Sequence, residues 1–183
     1  VSWSKAIQLP GSITTTTTPS LVFDETVLYM AYQGLDSQIY FSLSLDNGQT
    51  WTEPSGTNLY SANGVALTTY MGQVVIFFPD NSTNQIACAI SGTPMPDGPS
   101  DWSENTGVVD PYDSGAFGTP GPISAVNVNG TFCWAYPSFN SSELFFDSGQ
   151  MNSDQFNVPV WLIGNPVAGS AANLFSDGTQ VYL

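Results

Sequence analysis

Ser44-Leu45-Asp46-Asn47-Gly48-Gln49-Thr50-Trp51 closes the first clear run of alternating apolar and polar residues in the chain. Asp-Asn-Gly supplies a side-chain acceptor for nearby backbone N–H groups, then a residue tolerant of positive φ, then a glycine where a Cβ would clash. Such a stretch reverses a strand tightly. Ser44 and Thr50 are expected to bond across the mouth of the turn, and Trp51 to lay an apolar face on whatever lies beneath. On its own terms the stretch predicts a hairpin between outer strands of a sheet.

Working outward, the same signal recurs. Trp3, Trp51 and Trp102 are separated by 48 and 51 positions, and Phe156 follows 54 positions later. Polar turns precede the later markers, Asp97-Gly98-Pro99 and Asn152-Ser153-Asp154, with altered spacing. Between markers, Asp24-Glu25, Met71-Gly72, Asn129-Gly130 and Asp177-Gly178 each precede an apolar run: Val27–Tyr32, Val74–Phe78, Phe132–Tyr136 and Gln180–Leu183. These are hairpin signals. Strands are expected upstream of each turn, at Pro19–Phe23, Val65–Tyr70, Ile123–Val128 and Ser170–Phe175, and third strands at Gln38–Ser42, Gln85–Ser91 and Glu143–Phe146. A repeat of ~50 residues with four antiparallel strands has the length of a propeller blade. The middle strands are apolar on both faces, which suits sheets packed on both sides better than a sandwich with one wet face.

The motif S-x-D-x-G-x-T-W at Ser44, Asp46, Gly48, Thr50 and Trp51 resembles the Asp-box (BNR repeat) of sialidases and sialidase-like β-propellers, some of them sugar-binding lectins. The resemblance implies that Ser44, Asp46, Gly48, Trp51 and Trp102 are structural, fastening blades. It also implies an all-β propeller, for which the repeat gives about four blades, here expected as one domain over residues 1–183. Ser2–Leu9 has the look of the strand that follows such a turn, whereas Gly169–Leu183 supplies only the first two strands of a fourth unit. The expectation is an offset closure in which the first strand completes the last blade, the alternative being association of chains through free strand edges.

Composition narrows the function. The chain has 183 residues, 42% hydrophobic and only 9% charged, with Lys5 its single basic side chain, no histidine and a net charge of −14. Nucleic acid and anionic membrane surfaces are disfavoured as partners, because their phosphates need cations. No stretch approaches the ~20 apolar residues of a membrane span. Cys88 and Cys133 lie inside apolar runs with no metal-ligand spacing, so two buried thiols are expected, a disulfide being the alternative. No metal and no cofactor is expected. Sequons at Asn81, Asn129 and Asn140 permit a secretory route, and a secreted or extracellular setting is slightly favoured.

The sialidase family holds its substrate's carboxylate with an arginine cluster, and this chain has no arginine, so the resemblance stops short of that site. Triads built on histidine are excluded. A glycosidase needs two facing carboxylates, and Asp24, Glu25, Asp36, Glu53, Asp80, Glu104, Glu143 and Asp147 offer acids, none singled out by spacing. Carbohydrate binding without catalysis is the expectation. It needs aromatic faces beside Asp, Asn, Gln or Glu, and the loops after the second strands supply them: Tyr32, Asp36 and Gln38; Asp80, Asn84 and Gln85; Tyr136, Asn140 and Glu143. Glycans or glycoproteins are the expected partners, through several weak sites. A glycoside hydrolase on the same scaffold is the alternative, and a storage, structural or toxin-like propeller the third.

Overall fold

The computed structural model describes residues 9–10, 13–83, 85–105, 122–137, 144–150, 160–161 and 173–183. Three antiparallel sheets of four strands each form in chain order, followed by a two-stranded ribbon. The first sheet comprises β1 (Ser20–Asp24), β2 (Val27–Gln33), β3 (Gln38–Ser44) and β4 (Ser55–Tyr60). The second comprises β5 (Ala66–Tyr70), β6 (Gln73–Pro79), β7 (Ile86–Ser91) and β8 (Trp102–Asn105), with a 3-10 turn over Pro99–Asp101 before its last strand. The third comprises β9 (Ser124–Val128), β10 (Thr131–Pro137), β11 (Leu144–Gly149) and β12 (Val160–Trp161), and the ribbon β13 (Phe175–Ser176) and β14 (Val181–Tyr182).

Each sheet is a simple meander whose neighbours in sequence are neighbours in space. The first strands stand side by side: β1 lies against β5, β5 against β9, and β9 against β13. That arrangement is radial, with first strands innermost, and it makes the sheets blades of an all-β propeller rather than layers of a sandwich. The turns between first and second strands carry the left-handed backbone that the sequence requires, with φ of 51° and 76° at Met71 and Gly72 and 52° and 85° at Asn129 and Gly130.

The two-sided apolar strands find their purpose between blades. From β6, Val74, Ile76 and Phe78 pack with Tyr29, Ile39 and Phe41 of the first blade. The alternate residues Val75 and Phe77 pack with Phe132, Trp134 and Tyr136 of the third. Phe77 stacks on Trp134 at 5.4 Å, and Trp102 meets Phe41 edge-on at 5.2 Å. Fully burying a side chain of this kind contributes ~1.5–3 kcal/mol, so the middle blade is held from both sides.

Polar ties reinforce the stack where the backbone leaves one blade for the next. Gln33, buried at the end of β2, donates to the Ser61 carbonyl at 2.6 Å and accepts from the Gly64 N–H at 2.9 Å. It thereby satisfies polar groups of a buried turn between the first and second blades.

Cys88 and Cys133 are both buried thiols. Cys88 belongs to the cluster between the second and third blades, whereas Cys133 alternates with Phe132 and Trp134, which face that cluster, and so points to the opposite side of its sheet. Burial, and the Asp147 carboxylate after it, push the Cys133 thiol above its usual range. Segment 1–8, on which offset closure was expected to rest, lies outside the described residues, as does Phe156.

Candidate functional site

In a four-stranded meander, the connection from second to third strand lies at the end opposite the other two connections. The sequence stretch 44–51 and the loops after Tyr32 and Pro79 therefore occupy opposite ends of the propeller. We call these the turn end and the loop end.

At the turn end, Asp46 organises the tight reversal. Its Oδ1 accepts from the Thr50 N–H at 2.8 Å and the Ser44 hydroxyl at 2.8 Å, and its Oδ2 from the Thr50 hydroxyl at 2.6 Å. Ser44 in turn accepts from the Gly48 N–H at 2.8 Å, and the Trp51 indole donates to the Gly48 carbonyl at 3.2 Å. Ser44 and Thr50 thus meet through Asp46 and not directly, because a carboxylate offers more acceptor sites than either hydroxyl. The bonds from Thr50, with smaller ones from Ser44 and Gln49, hold the Asp46 carboxyl down at about 2. In the second blade the corresponding acid stands at the other end of the turn: Asp101 Oδ2 accepts from the N–H groups of Asp97 at 2.8 Å and Gly98 at 3.3 Å, just before Trp102.

At the loop end of the first blade, residues 34–37 reverse the chain with Ser37 at φ 67°. Asp36 is exposed. Its Oδ1 accepts from the Gln38 N–H at 3.1 Å and its Oδ2 from the Tyr40 hydroxyl at 2.8 Å. Gln38 reaches across to Asn58, its Nε2 donating to Asn58 Oδ1 at 3.3 Å. Two glycines make room for this layer. A Cβ on Gly34 would stand 2.6 Å from the Tyr40 ring and 2.7 Å from Asp36 Oδ1, and one on Gly56 would stand 2.8 Å from Gln38 Nε2. Tyr60, opposite Gln38 in the ladder, is 47% exposed.

Tyr32 sits beneath this layer. It is 4% exposed and stacks on Tyr40 at 5.6 Å with the planes 15° apart. Burial pushes its phenol up to about 12, with Tyr40 and Asp36 adding to the effect. The hydrogen bond to Asp36 raises Tyr40 as well. Both phenols are therefore neutral O–H groups at ordinary pH.

The equivalent loop of the second blade is built differently. Asp80 Oδ1 accepts from both N–H and hydroxyl of Ser82, at 2.9 and 2.5 Å, and of Thr83, at 2.8 and 2.9 Å. Burial pushes Asp80 up, but these bonds together overrule it and hold the carboxyl below its usual range. Gln85 is exposed, and its carbonyl accepts from the Asp80 N–H at 2.7 Å. Asn84 lies outside the described residues. In the third blade Tyr136 is 2% exposed and stacks on Phe145 at 5.7 Å, while Asn140 and Glu143 lie outside the described residues.

The structure thus brings Asp36 and Gln38 together over Tyr32, and adds Tyr40, Asn58, Tyr60, Gly34 and Gly56, which the sequence reading missed. Tyr40 was legible as the cross-strand partner of Tyr32. Asn58, at φ 61°, and Tyr60 come from a fourth strand with little apolar pattern.

Among the described residues, two cavities run along the innermost strands. One of about 330 Å3 at the loop end is lined by Thr18, Ser20, Val65, Pro122, Ile123 and Asn173, among others. One of about 820 Å3 reaches the turn end between Phe23, Thr69, Tyr70, Asn127, Asn129 and Phe175. Neither has an Asp or Glu among its described lining residues, so the polar layer around Asp36 is a separate feature. Among the described residues no three His, Cys, Asp or Glu side chains converge as a metal site would need.

No family model and no curated protein matches the chain. Solved structures do. An alpha-L-arabinofuranosidase from Lactobacillus brevis is similar with a TM-score of 0.56 at 14% identity, over 84% of this chain and 55% of that one. The Trypanosoma rangeli sialidase is similar with a TM-score of 0.50 at 14% identity, over 85% of this chain and 26% of that one. A fucose lectin from Kordia zhangzhouensis, solved with methyl-fucoside, has a TM-score of 0.50 at 8% identity, over 81% of this chain and all of that one. The chain spans about half the length of the arabinofuranosidase and about a quarter of the sialidase. At these identities the likeness is one of fold.

The comparisons correct one expectation. The sequence reading expected binding without catalysis, with hydrolysis as the alternative, yet the fold is one shared by an arabinofuranosidase and a sialidase. The reading went too far because missing arginine and histidine remove particular sites only. Hydrolysis of a glycosidic bond asks for two carboxyl groups, and the chain carries 15 acidic residues.

Proposed function

We propose that this propeller recognises carbohydrate at the loop end of its blades, with the first-blade layer of Asp36, Gln38, Tyr40, Asn58 and Tyr60 as the principal site. The observation that carries the reading is an exposed carboxylate fixed from two sides, by the Tyr40 hydroxyl and the Gln38 N–H, with the half-exposed Tyr60 opposite Gln38 in the ladder. A sugar presents an apolar C–H face and a rim of hydroxyls, and this pairing of ring and acceptor suits both. The names of the similar structures support it: an arabinofuranosidase, a sialidase and a fucose lectin all deal with sugars.

Asp80, Asn84 and Gln85 of the second blade, and Asn140 and Glu143 of the third, are proposed as further, weaker contacts, with Tyr136 buried beneath as Tyr32 is in the first. Such contacts multiply avidity for glycosylated surfaces, and assembly of copies of the chain would add to it. A second reading, hydrolysis of the bound glycan by a carboxylate pair, is favoured by the likeness to the arabinofuranosidase.

One experiment addresses both readings. The protein and its Asp36→Ala and Tyr60→Ala variants are applied to a broad glycan array and to a panel of aryl glycosides. Array binding lost in both variants, whose side chains are exposed, supports the site; a correctly folded protein with no array signal refutes it. Release of aryl alcohol that depends on a particular acid moves the reading to hydrolysis.

A further inference from the structure

We infer that the Asp36 site takes sugars rich in hydroxyl or amino donors and excludes anionic ones, whether carboxylated or sulfated. The inference rests on the reading of this layer as a glycan site and adds the class of glycan.

The argument is one of hydrogen-bond polarity. A phenol carries a single proton, and that of Tyr40 is engaged by Asp36 Oδ2. The Gln38 N–H is engaged by Asp36 Oδ1, and one proton of its side-chain amide by Asn58 Oδ1. Around the carboxylate itself, Asp36 and Tyr40 Oη present only lone pairs, while the donors left in the layer, the second Gln38 Nε2 proton, the Asn58 amide and the Tyr60 hydroxyl, are all neutral. An acceptor-rich surface is complemented by a donor-rich ligand. A pair of sugar hydroxyls can give protons to Asp36 and Tyr40, and an amino sugar can do the same with a charge-assisted bond. A sugar carboxylate or sulfate brings only acceptors and would face Asp36 with no proton between them.

Charge points the same way. No cationic side chain occurs among the described residues, Lys5 lying outside them, and the chain carries 15 acids. An approaching anion meets a field of one sign, with no cationic side chain among the described residues to pair with, over a range of about 10 Å at 0.1 M salt. Bidentate, permanently charged recognition of a carboxylate is arginine's role, and this chain has no arginine.

The test uses matched oligosaccharides that share one neutral core, with and without a terminal carboxylated or sulfated sugar, and a de-N-acetylated version of the core. Affinities are measured by calorimetry at about 20 mM and about 500 mM salt, for the native protein and Asp36→Asn. The neutral and amino forms should bind at least about tenfold more tightly than the anionic ones at low salt, with the gap narrowing at high salt and in Asp36→Asn. Anionic members bound as well as neutral ones would overturn the inference and leave glycan recognition intact. Binding of no member would overturn both. The native protein alone decides between these outcomes, so a variant that failed to fold would not blur them.

Discussion

Tyr40 donates its proton to Asp36 Oδ2 at 2.8 Å while its ring lies flat on Tyr32, so one side chain joins the hydrophobic interior to an exposed carboxylate. The carboxylate is thereby aimed by a residue whose own position is fixed by packing. Tyr40→Phe keeps the ring and removes the bond. A single hydrogen bond to a charged group is worth ~1.5–3 kcal/mol, part of it already offset by water at an exposed site. Glycan affinity should therefore fall by about fivefold to tenfold, with unchanged circular dichroism.

Gly34→Ala tests the space beneath the site. The added methyl would stand within 2.7 Å of both Tyr40 and Asp36, too close for either to stay where it is. Overpacking of this kind costs ~1–3 kcal/mol. The expected result is a folded protein, less stable by that order in urea titration, in which the Asp36 layer is displaced and glycan binding is lost.

How much of this was legible beforehand follows from which interactions are local. The turns at Met71-Gly72 and Asn129-Gly130 carry their conformation in two residues, and the apolar runs after them read directly as strands. Asp46 likewise declares itself, since all its partners lie within four residues. The site is harder because it is assembled across the sheet: Asp36 with Tyr40 is nearly local, but Gln38 with Asn58 spans 20 positions. Tyr32 and Tyr136 were legible as aromatic strand ends, while their burial depends on Tyr40 and Phe145 stacked against them. Register across the hairpin reveals those partners, but not how deeply they bury the rings.

Gly48 and Gly72 separate backbone strain from packing. Both have positive φ, 84° and 76°, but a Cβ on Gly48 meets Leu28 Cδ2 at 3.3 Å, whereas one on Gly72 meets nothing within 4 Å. Gly72→Ala should cost only the conformational penalty of ~1 kcal/mol. Gly48→Ala should cost more, read as a larger drop in the denaturation midpoint, because the turn sits on the first blade.

Acid should loosen the turns. The folded-state carboxyl of Asp46 lies at about 2, below the ~3.9 of an unfolded aspartate, and Asp80 and Asp177 are lowered too. Their contribution is present above about pH 4 and is lost as pH falls through the folded values. The melting temperature should hold from neutrality to about pH 4 and then decline, and Asp46→Asn should decline less steeply. At the alkaline end the sign reverses for Tyr32. Its raised value of about 12 means a contribution present below pH ~10 and lost as pH rises past it.

The most direct measurement of the central claim is a titration of the isotopically labelled protein with the neutral saccharide that binds it best, followed by backbone amide chemical shifts. Perturbations should gather on residues 34–40 and 56–61, around Asp36, Tyr40 and Tyr60. Shifts centred on Ser44–Trp51, or on Thr69, Asn127 and Phe175 at the larger cavity, would place the ligand at the other end of the propeller and contradict the account.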